Sequence, residues 1–341
     1  MVSVLLPVRN AAAALPAALE SLLAQTLRDF EIIVADDGST DGGAGGPDTR
    51  EVIARFAAKD SRIRPLYLPH QGIARTLNAA MEAAQGDHLA RMDADDLCHP
   101  ERLAAQSAFL GAHPETGLVA CRAAFGGDPE AAAGYKRYID WTNSLLSHEA
   151  ISLGRFQESP LAHPSVMFRK SLPATLGPYA DGPFPEDYEL WLRWLEGGAR
   201  MEKLPRTLLT WNDPPGRLSR VHPNYDPANF HRIKAGYLAR WLAAHNPHHP
   251  RIIVAGGGRT TRKRAEHLLD HGVEILCWLD IDPKKIGKTV AGRPVIHHDA
   301  VPSPDDCFVV SYLASHGAAE YISAFLLGRG FIPGESFILA A

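Results

Sequence analysis

The sequence predicts an α/β fold, in which a mostly parallel sheet is wound with helices and a second, smaller α/β domain follows. Two observations predict this class. Short runs of β-branched and leucine residues alternate with stretches where apolar residues recur at helical spacing, and the alternation restarts after residue 250. The 341 residues suffice for two domains that each bury a core. We expect a first domain at 1–225, a helical linker at 226–250 and a second domain at 251–341.

Composition and charge exclude several classes of protein. Hydrophobic residues make up 45% and charged residues 22% of the chain, and the net charge of −4 offers no basic footprint for nucleic acid or an anionic membrane. The four cysteines fit no metal-ligand spacing, so we expect free thiols in a reducing compartment. No apolar run approaches the length of a membrane span, and the N-terminus lacks the basic region of a signal peptide. We therefore expect a cytoplasmic protein, while peripheral attachment to a membrane and the oligomeric state stay open.

Strand and helix patterns alternate through the first third of the chain. Each predicted strand is a short apolar run, and each is followed by a helix whose apolar residues recur every three or four positions. The predicted strands are Val2–Val8, Glu31–Ala35 and Ile63–Leu68, and the predicted helices are Leu15–Leu23, Thr49–Lys59 and Gly72–Ala84. In a parallel sheet of this kind the ligands lie beyond the carboxyl ends of the strands. The polar residues that follow these strands are therefore candidate binding residues.

A fourth apolar run ends at Met92 and is followed at once by three carboxylates, those of Asp93, Asp95 and Asp96. Acidic side chains so close together repel one another unless a cation lies among them. If the strand continues, its alternation puts Asp93 and Asp95 on the same side, where their oxygen atoms could bind Mg²⁺ or Mn²⁺ together with a diphosphate. An acidic turn before a helix near Pro100 is the alternative interpretation, and the neighbouring motifs favour the metal site.

Three further positions are candidates for nucleotide binding. Asp37, which follows the second strand, offers a planar acceptor to a base imide or a ribose hydroxyl group. Gly72 permits close approach of a ligand to the backbone. Arg75 either meets a phosphate or lies solvated on its helix, and the sequence leaves both alternatives open.

A second group of carboxylates begins a predicted helix at Glu186 and Asp187. Tyr188, Trp191 and Leu192 share one face of this helix, so we expect the helix to pack inward and to present both acids at its N-terminus. Acidic residues in a first turn commonly complement the helix dipole, and taken alone these two need no other explanation.

Four segments resemble, in the same order, the motifs of glycosyltransferase family 2, the inverting enzymes of the GT-A fold. The segments are Ser3–Asn10, Ile33–Asp41, Gly72–Asn78 and Met92–Asp96, and the resemblance extends over about residues 1–220. It implies a GT-A fold and transfer of a sugar from a nucleotide diphosphate donor, most often UDP-linked, to an acceptor hydroxyl group. It also implies nucleotide binding by Pro7, Arg9, Asn10, Asp37, Gly72, Arg75, Asp93 and Ala94.

The same resemblance implies the chemistry. Asp95 and Asp93 would bind Mn²⁺ or Mg²⁺, which neutralises the departing diphosphate. Asp187 would be the general base that accepts the proton of the acceptor hydroxyl, an effect typically worth about 10²–10⁴ in rate, and Glu186 would support it. Single displacement inverts the anomeric configuration. The Gln-x-x-Arg-Trp motif of processive synthases is absent from the sequence, so we expect one sugar to be transferred per encounter.

Later segments of this family surround the sugar. The resemblance implies a sugar or acceptor site with His163 and Trp191, while a lone histidine is more often a structural group. A predicted helix at Tyr138–Ile151 would close over the acceptor. Trp211–His222 resembles the closing segment of the family, whose basic and histidine side chains reach towards the diphosphate.

The second domain opens with a β-α-β unit. Arg251–Ala255 predicts a strand, Gly256–Gly258 predicts a glycine turn, and the acid Asp280 follows about twenty residues later, as in dinucleotide binders. Thr261 takes the place of the third glycine of that fingerprint. Through Asp280–Gly287 the domain resembles the small Rossmann-like domains that precede sugar O-acyltransferases. We expect a structural, assembly or acceptor-docking role without bound nicotinamide.

Two other functions stay open. A sugar nucleotidyltransferase shares the sheet and the paired carboxylates, but it usually has a glycine-rich loop with an arginine after the first strand, and Arg9–Ala13 supplies only the arginine. A catalytically inactive scaffold that binds nucleotide sugars is the other alternative, against which the intact Asp93, Asp95 and Asp187 argue.

Overall fold

The computed structural model of the chain describes residues 1–42, 48–315 and 317–341. It divides into two compact units, each of which combines separate stretches of chain. The first unit comprises Met1–Ile151, Pro160–Gly182 and Arg193–His222, and the second comprises Ser152–Ser159, Pro183–Leu192 and Pro223–Ala341. The division differs from the expected boundaries at 225 and 250, because two short internal stretches pack with the C-terminal part of the chain.

Within the described residues, the first unit is built on an eight-stranded sheet. Its strands are β1 (Val2–Val8), β2 (Phe30–Asp37), β3 (Ile63–Leu68), β4 (His88–Arg91), β5 (Leu97–Cys98), β6 (Leu118–Phe125), β7 (Val166–Arg169) and β8 (Met201–Trp211). They lie in the order β3-β2-β1-β4-β7-β6-β8-β5, with β1 to β4 parallel and β7 antiparallel to both of its neighbours. The α/β class and the parallel N-terminal part of the sheet are confirmed.

The helices of both units follow in chain order. They are α1 (Leu15–Leu23), α2 (Thr49–Ala57), α3 (Ile73–Ala83), α4 (Arg102–Ala112), α5 (Ala133–Ser144), α6 (His148–Gly154), α7 (Ser171–Leu176), α8 (Glu186–Glu196), α9 (Leu218–Val221), α10 (Pro227–His245), α11 (Arg259–Glu266) and α12 (Ala318–Gly328). In the part of the chain that the structure describes, none of them combines the length and the apolar character needed to cross a bilayer.

The single helix predicted at Tyr138–Ile151 is wrong, because the chain forms two helices there. α5 ends at Ser144, and Leu145 leaves the helical conformation with φ −83° and ψ 92°. The carbonyl of Leu146 then accepts a hydrogen bond from the N–H of Lys203, at 2.9 Å. A bond to a distant part of the chain thus replaces the intrahelical bond that a continuous helix would make.

The core of the first unit explains why the polar loops are held in place. Val4 and Leu6 of β1 are fully buried and pack in one cluster with Leu15 and Leu19 of α1. Burial of a leucine side chain contributes about 1.5–3 kcal/mol. The carboxyl ends of β1, β2 and β4, from which the candidate site residues extend, are therefore anchored by a continuous apolar layer.

The second unit is built on a six-stranded sheet among the described residues. Its strands are β9 (Arg251–Ala255), β10 (Glu274–Asp280), β11 (Thr289–Val290), β12 (Arg293–His297), β13 (Val309–Ser311) and β14 (Phe337–Leu339). They lie in the order β11-β12-β10-β9-β13-β14, and all pairs are parallel except β11 with β12. This second sheet lies within the segment for which a small α/β domain was expected.

Helix α10, assigned to a linker from its sequence, lies in the core of the second unit. Leu238 and Leu242 of α10 are fully buried and pack in one cluster with Phe156, Tyr188 and Leu192. These last three residues belong to the stretches 152–159 and 183–192. The amphipathic pattern of α10 reflects this packing, because the apolar face of the helix covers a sheet instead of connecting two domains.

Candidate active site

The acidic cluster predicted after the fourth strand is present in the structure. Asp93, Asp95 and Asp96 lie beyond β4, and one carboxylate oxygen of each is within 4.8 Å of the others. Since β4 ends at Arg91, these side chains converge through a turn, in which the Asp96 N–H donates to the Asp93 carbonyl at 3.4 Å, and not through strand alternation. Asp96 was not among the predicted ligands, although its place in the acidic run is a signal that could have identified it.

Two arginine side chains offset part of the negative charge of this cluster. Nη1 of Arg91 lies 2.6 Å from Asp93, and Arg217 lies 3.4 Å from Asp93 and 4.0 Å from Asp96. Arg217 also stacks on Trp211, with 3.7 Å between its Cζ and the ring centroid. Arg217 belongs to the predicted closing segment, whereas nothing in the sequence distinguished Arg91.

Asn212, the residue after β8, fixes the loop that carries the cluster. Its backbone N–H donates to Asp96 Oδ1 at 2.8 Å, and its side-chain Nδ2 donates to the Asp95 carbonyl at 2.7 Å. Sequence reasoning did not identify Asn212 because its role depends on β8, which was not predicted as a strand. The parallel pairing of β8 with β6 brings Asn212 to this edge of the sheet.

The cluster carries more negative charge than its surroundings stabilise. Burial and the charge of Asp93 raise the pKa of Asp95, and the same two causes raise the pKa of Asp96 well above its ordinary value, with Arg217 acting in the opposite direction. Asp96 is fully buried, and its Oδ2 has no hydrogen-bond partner among the described residues. Because a divalent cation offers the missing positive charge to oxygen ligands, these three side chains fit a Mg²⁺ or Mn²⁺ site.

Asn10 links the loops after β1 and β2. Its backbone N–H donates to Ser39 Oγ at 2.9 Å, and its Oδ1 accepts from the Thr40 N–H at 2.8 Å. Asn10 has a φ of +50°, which asparagine tolerates better than most residues. Pro7 pairs with the backbone of β2, and Arg9 is exposed. Pro7 therefore lies within β1, and Arg9 and Asn10 follow the carboxyl end of that strand beside the loop after β2.

Asp37 holds the turn that precedes α3. Its Oδ1 accepts from the Gln71 N–H at 2.7 Å, and its Oδ2 accepts from the Gly72 N–H at 3.1 Å and lies 2.9 Å from His70 Nδ1. A carboxylate offers about four lone-pair positions, so three are already engaged. Gly72 has a φ of +90°, which favours glycine, and a methyl group there would meet no atom within 4 Å.

The structure gives Arg75 a carboxylate partner. Its Nε lies 2.8 Å from Asp181, and both side chains are more than half exposed. An exposed pair of this kind contributes about 0–1 kcal/mol, so it would give way readily to a phosphate. Ala94, the small residue between two acids of the cluster, is buried.

His163 is a buried neutral imidazole in the first unit. Its Nε2 is 2.7 Å from the Tyr179 hydroxyl, and the two rings lie 5.5 Å apart. Burial, together with the positive charges of Arg91 and Arg217, lowers the pKa of His163 well below its ordinary value. At neutral pH this ring can therefore exchange hydrogen bonds but carries no charge.

The first turn of α8 presents Glu186 and Asp187 in the second unit. Glu186 is buried and accepts a hydrogen bond from the Tyr225 hydroxyl at 2.6 Å. Asp187 is partly exposed, and its Oδ1 accepts from the Tyr188 N–H at 2.7 Å. The predicted inward face of this helix is confirmed, since Tyr188 and Trp191 are fully buried.

The glycine turn of the second unit is closed around Asp280. The Gly257 N–H donates to Asp280 Oδ2 at 3.0 Å, and Lys285 Nζ lies 2.9 Å from the same carboxylate. Gly256 has a φ of +106°, and a methyl group there would lie 2.8 Å from Thr261 Cγ2. Thr261 thus fills the space that a third glycine would leave open.

The strand order of the first unit and the acidic cluster beyond a central strand agree with an α/β protein of the GT-A fold. Residues 3–173, about half of the chain, match the family model described as Glycosyl transferase family 2. The chain therefore belongs to glycosyl transferase family 2. The match covers the acidic cluster and ends before α8 and the second sheet.

Curated relatives have the same family character. The chain is similar to the amylovoran biosynthesis glycosyltransferase AmsE of Erwinia amylovora, with 31% identity over 195 residues that cover 56% of this chain and 67% of AmsE. It is also similar to an uncharacterized glycosyltransferase of Haemophilus influenzae, with 31% identity over 203 residues that cover 59% of this chain and 71% of the relative.

Solved structures share the fold at lower identity. TarS of S. aureus, residues 1–349 in complex with UDP-GlcNAc, has a TM-score of 0.53 and 18% identity, with 71% of this chain and 72% of TarS covered. The mannosyltransferase PcManGT from Pyrobaculum calidifontis, in complex with GDP-Man and Mn²⁺, has a TM-score of 0.50 and 21% identity, with coverages of 71% and 63%. At these identities the likeness establishes the fold alone.

Proposed function

We propose that this chain is a non-processive, inverting glycosyltransferase that moves one sugar from a nucleotide diphosphate donor, preferably UDP-linked, to a hydroxyl group of a saccharide or another acceptor. Membership of family 2 supports the reaction class. The observation that carries the finer proposal is the convergence of Asp93, Asp95 and Asp96 within 4.8 Å at the end of a central strand. Such a cluster is suited to a divalent cation and to the diphosphate that the cation binds.

Asp95 and Asp93 are the proposed ligands of Mn²⁺ or Mg²⁺, with Asp96 beside them. A bound cation of this kind would neutralise the negative charge that the diphosphate gains as it leaves. Arg217, held on Trp211, is a second positive group suited to the same diphosphate because a guanidinium can bind phosphate oxygens in a bidentate manner.

Other side chains would bind the nucleotide and the sugar. His163 could exchange a hydrogen bond with a sugar hydroxyl without repelling a cation, because its ring is neutral. Trp191, which is fully buried, would support the acceptor side through the packing of α8 and not by direct contact. The proposed nucleotide-binding residues are Pro7, Arg9, Asn10, Asp37, Gly72, Arg75, Asp93 and Ala94.

Asp187 is the proposed general base. The hydrogen bond from the Tyr188 N–H orients one of its carboxylate oxygen atoms, and the bond from Tyr225 orients Glu186 next to it in the sequence. Asp187 would take the proton of the acceptor hydroxyl as that oxygen attacks the anomeric carbon, and the single displacement would invert the configuration.

Isothermal titration of UDP with and without Mn²⁺ tests the proposed cation site. For Asp95→Asn we expect UDP affinity in the presence of Mn²⁺ to fall by at least about tenfold, because an amide is a poorer ligand than a carboxylate and removes one negative charge. UDP and GDP are the first nucleotides to compare, since the two structural neighbours were solved with UDP- and GDP-linked sugars.

Asp87→Asn is the matched control, because Asp87 lies just before the opposite end of β4 and its side chain is 93% exposed. This variant makes the same change of charge and should bind UDP like the unchanged protein. Equal Mn²⁺ dependence in Asp95→Asn and Asp87→Asn would refute the assignment of Asp95.

A further inference from the structure

A groove with a volume of about 420 Å³ lies entirely within the second unit. Phe184 and Tyr237 form part of its apolar lining, and Arg232, Arg240 and His271 supply its polar groups. None of the described residues that line it is acidic. Concave sites with apolar walls and a few convergent polar groups are typical of small-molecule binding, so the groove is a candidate ligand site.

Helix α10 forms the charged side of this groove. Arg232, Gly236 and Arg240 are spaced four residues apart and therefore lie along one face of the helix, with the two arginines about 12 Å apart along the axis. Arg232 is exposed, and its side chain donates to Asn229 Oδ1 at 2.9 Å. Arg240 lies over the ring of Tyr237, with 4.5 Å between its Cζ and the centroid.

The backbone conformation at position 236 does not require a glycine. It lies inside a 19-residue helix and is not among the residues with positive φ, so an alanine there would favour the helix by about 0.5–1 kcal/mol. A methyl group at this position would lie 3.3 Å from His271 Cε1 and 3.5 Å from Arg240 Nη1. The glycine therefore keeps open the space beside the His271 ring and the Arg240 guanidinium in the groove.

The groove is joined to the helix that carries Asp187. Phe184 lies three residues before Asp187, and the Tyr237 hydroxyl donates to Glu189 Oε1 at 2.7 Å, two residues after it. A ligand in the groove would thus contact both the segment that leads into α8 and a residue bonded to its first turn.

We propose that this groove binds the acceptor, and that the acceptor is a saccharide bearing an oxyanion, either a phosphate or a carboxylate. Guanidinium groups bind both oxyanions in a bidentate manner, and the aromatic walls suit the apolar face of a sugar ring. That the ligand is the acceptor rests on the proposed function, but binding to the groove can be measured on its own.

Isothermal titration of the full chain with glucose 1-phosphate, glucuronate and methyl glucoside tests the proposal. At least one anionic sugar should bind, and the neutral glucoside should bind at least about threefold more weakly. The stronger of the two anionic probes identifies the oxyanion as phosphate or carboxylate. Absence of binding by both anionic sugars, or equal binding of the glucoside, would overturn the proposal.

Two variants locate the binding in the groove. Gly236→Leu should weaken binding of the anionic sugar at least about tenfold, because the leucine side chain fills the groove. Arg232→Gln should weaken binding of the anionic sugar about three- to fivefold and leave binding of the glucoside unchanged. Gly328→Leu and Arg259→Gln are the controls, since Gly328 is an open helix position in the same unit and Arg259 is exposed outside the groove. Unchanged binding of the anionic sugar to Gly236→Leu would refute the location of the binding site in the groove.

Saturating UDP with Mn²⁺ separates this proposal from the proposed function. If the sugar still binds, it occupies a site other than that of the donor, as expected, and displacement by UDP would overturn the inference. Loss of sugar binding in Gly236→Leu with Mn²⁺-dependent UDP binding intact supports the groove. A wild-type protein that binds the sugar in the groove but shows no Mn²⁺-dependent UDP binding would refute the proposed function alone.

Discussion

At the scale of single residues, a substitution of the proposed base Asp187 tests the chemistry separately from the binding of the donor. Asp187→Asn keeps an acceptor for the Tyr188 N–H but cannot take up a proton at neutral pH. We expect UDP binding to be retained and UDP release from a panel of UDP-sugars to fall by about 10²–10⁴. Titration of UDP and an assay of UDP release from the same preparations measure the two quantities.

Asp87→Asn serves again as the control and should release UDP at the unchanged rate. Full activity of Asp187→Asn would remove Asp187 from the role of base. If the unchanged protein released no UDP from any donor while binding UDP, the inactive scaffold would become the better description.

Lys203 makes the stability of the first unit depend on pH. Its ammonium group bonds to the carbonyls of Thr142 and Pro160, and burial lowers its pKa to about 7. The ordinary pKa of lysine is 10.5, so between pH 7 and 10.5 the unfolded state binds more protons than the folded state. The free energy of unfolding should therefore rise with pH in this window, by at most about 1.4 kcal/mol per pH unit.

Urea denaturation at several pH values between about 7 and 10 checks this sign. Lys203→Met should remove this part of the rise, whereas Lys136→Met, at a partly exposed lysine of α5, should keep it. Lys234, whose pKa burial also lowers to about 7, is present in all three proteins and cancels in the comparison. Identical pH profiles for Lys203→Met and Lys136→Met would contradict the prediction.

At the scale of elements, Gly86 allows the chain to pack closely against β1 just before β4 begins. The position of the acidic cluster depends on this packing, because the cluster follows β4. The Gly86 N–H donates to Ser3 Oγ at 2.8 Å, and a methyl group on Gly86 would lie 2.8 Å from both the Met1 carbonyl and the Ser3 N. We expect Gly86→Ala to lower the free energy of unfolding by about 1–3 kcal/mol, because backbone atoms of β1 must move. It should also weaken Mn²⁺-dependent UDP binding, since the acidic cluster follows directly after β4.

Gly111→Ala is the matched control for the urea denaturation and titration of UDP. Gly111 lies in α4, and a methyl group there would meet no atom within 4 Å, so this change should stabilise the protein by up to about 1 kcal/mol. Equal midpoints for Gly86→Ala and Gly111→Ala would argue against the close contact between β4 and β1.

The sequence predicted the elements whose patterns are local. β1 to β3 and the helices after them follow from apolar periodicity alone, and Ile63–Leu68 agrees with the structure at both ends. β8 was not predicted because Lys203, Pro205 and Arg206 interrupt its apolar pattern. Part of the reason is visible only in three dimensions, since buried Lys203 is satisfied by carbonyls far away in the sequence.

For the candidate site, too, the sequence predicted the local features but not the contacts between distant parts of the chain. Three carboxylates after an apolar run are visible in the sequence, and so the acidic cluster was identified. Arg91 and Asn212 were not identified, because their contacts with the cluster depend on a turn and on the pairing of β8 with β6. Contacts of this kind carry no sequence periodicity.

At the scale of the whole molecule, the division of the chain predicts the outcome of truncation. A fragment of residues 1–225 ends near an expected domain boundary, but it would expose Phe156, Tyr188 and Leu192, which pack with Leu238 and Leu242 in the second unit. Each large side chain loses about 1.5–3 kcal/mol of burial. We expect the fragment to aggregate or to bind a hydrophobic dye, in contrast to the full chain.

Size-exclusion chromatography and dye fluorescence of the fragment and the full chain measure this outcome. Replacing Phe156, Tyr188 and Leu192 by polar residues in the fragment should reduce dye binding. A monomeric fragment that unfolds cooperatively and binds no dye would show that the internal stretches do not need the C-terminal part. No pattern in the sequence revealed this arrangement, because apolar residues in stretches of only eight and ten residues do not indicate which of two cores they pack in.

The second unit draws residues 152–159 and 183–192 out of the middle of the chain, and this has a consequence for the history of the gene. A crossover that exchanged everything after codon 225 for the end of another gene would leave those two stretches facing a foreign partner. We therefore expect such an exchange to leave Phe156, Tyr188 and Leu192 without the apolar side chains that bury them, so that the recombinant protein folds poorly unless these positions change as well.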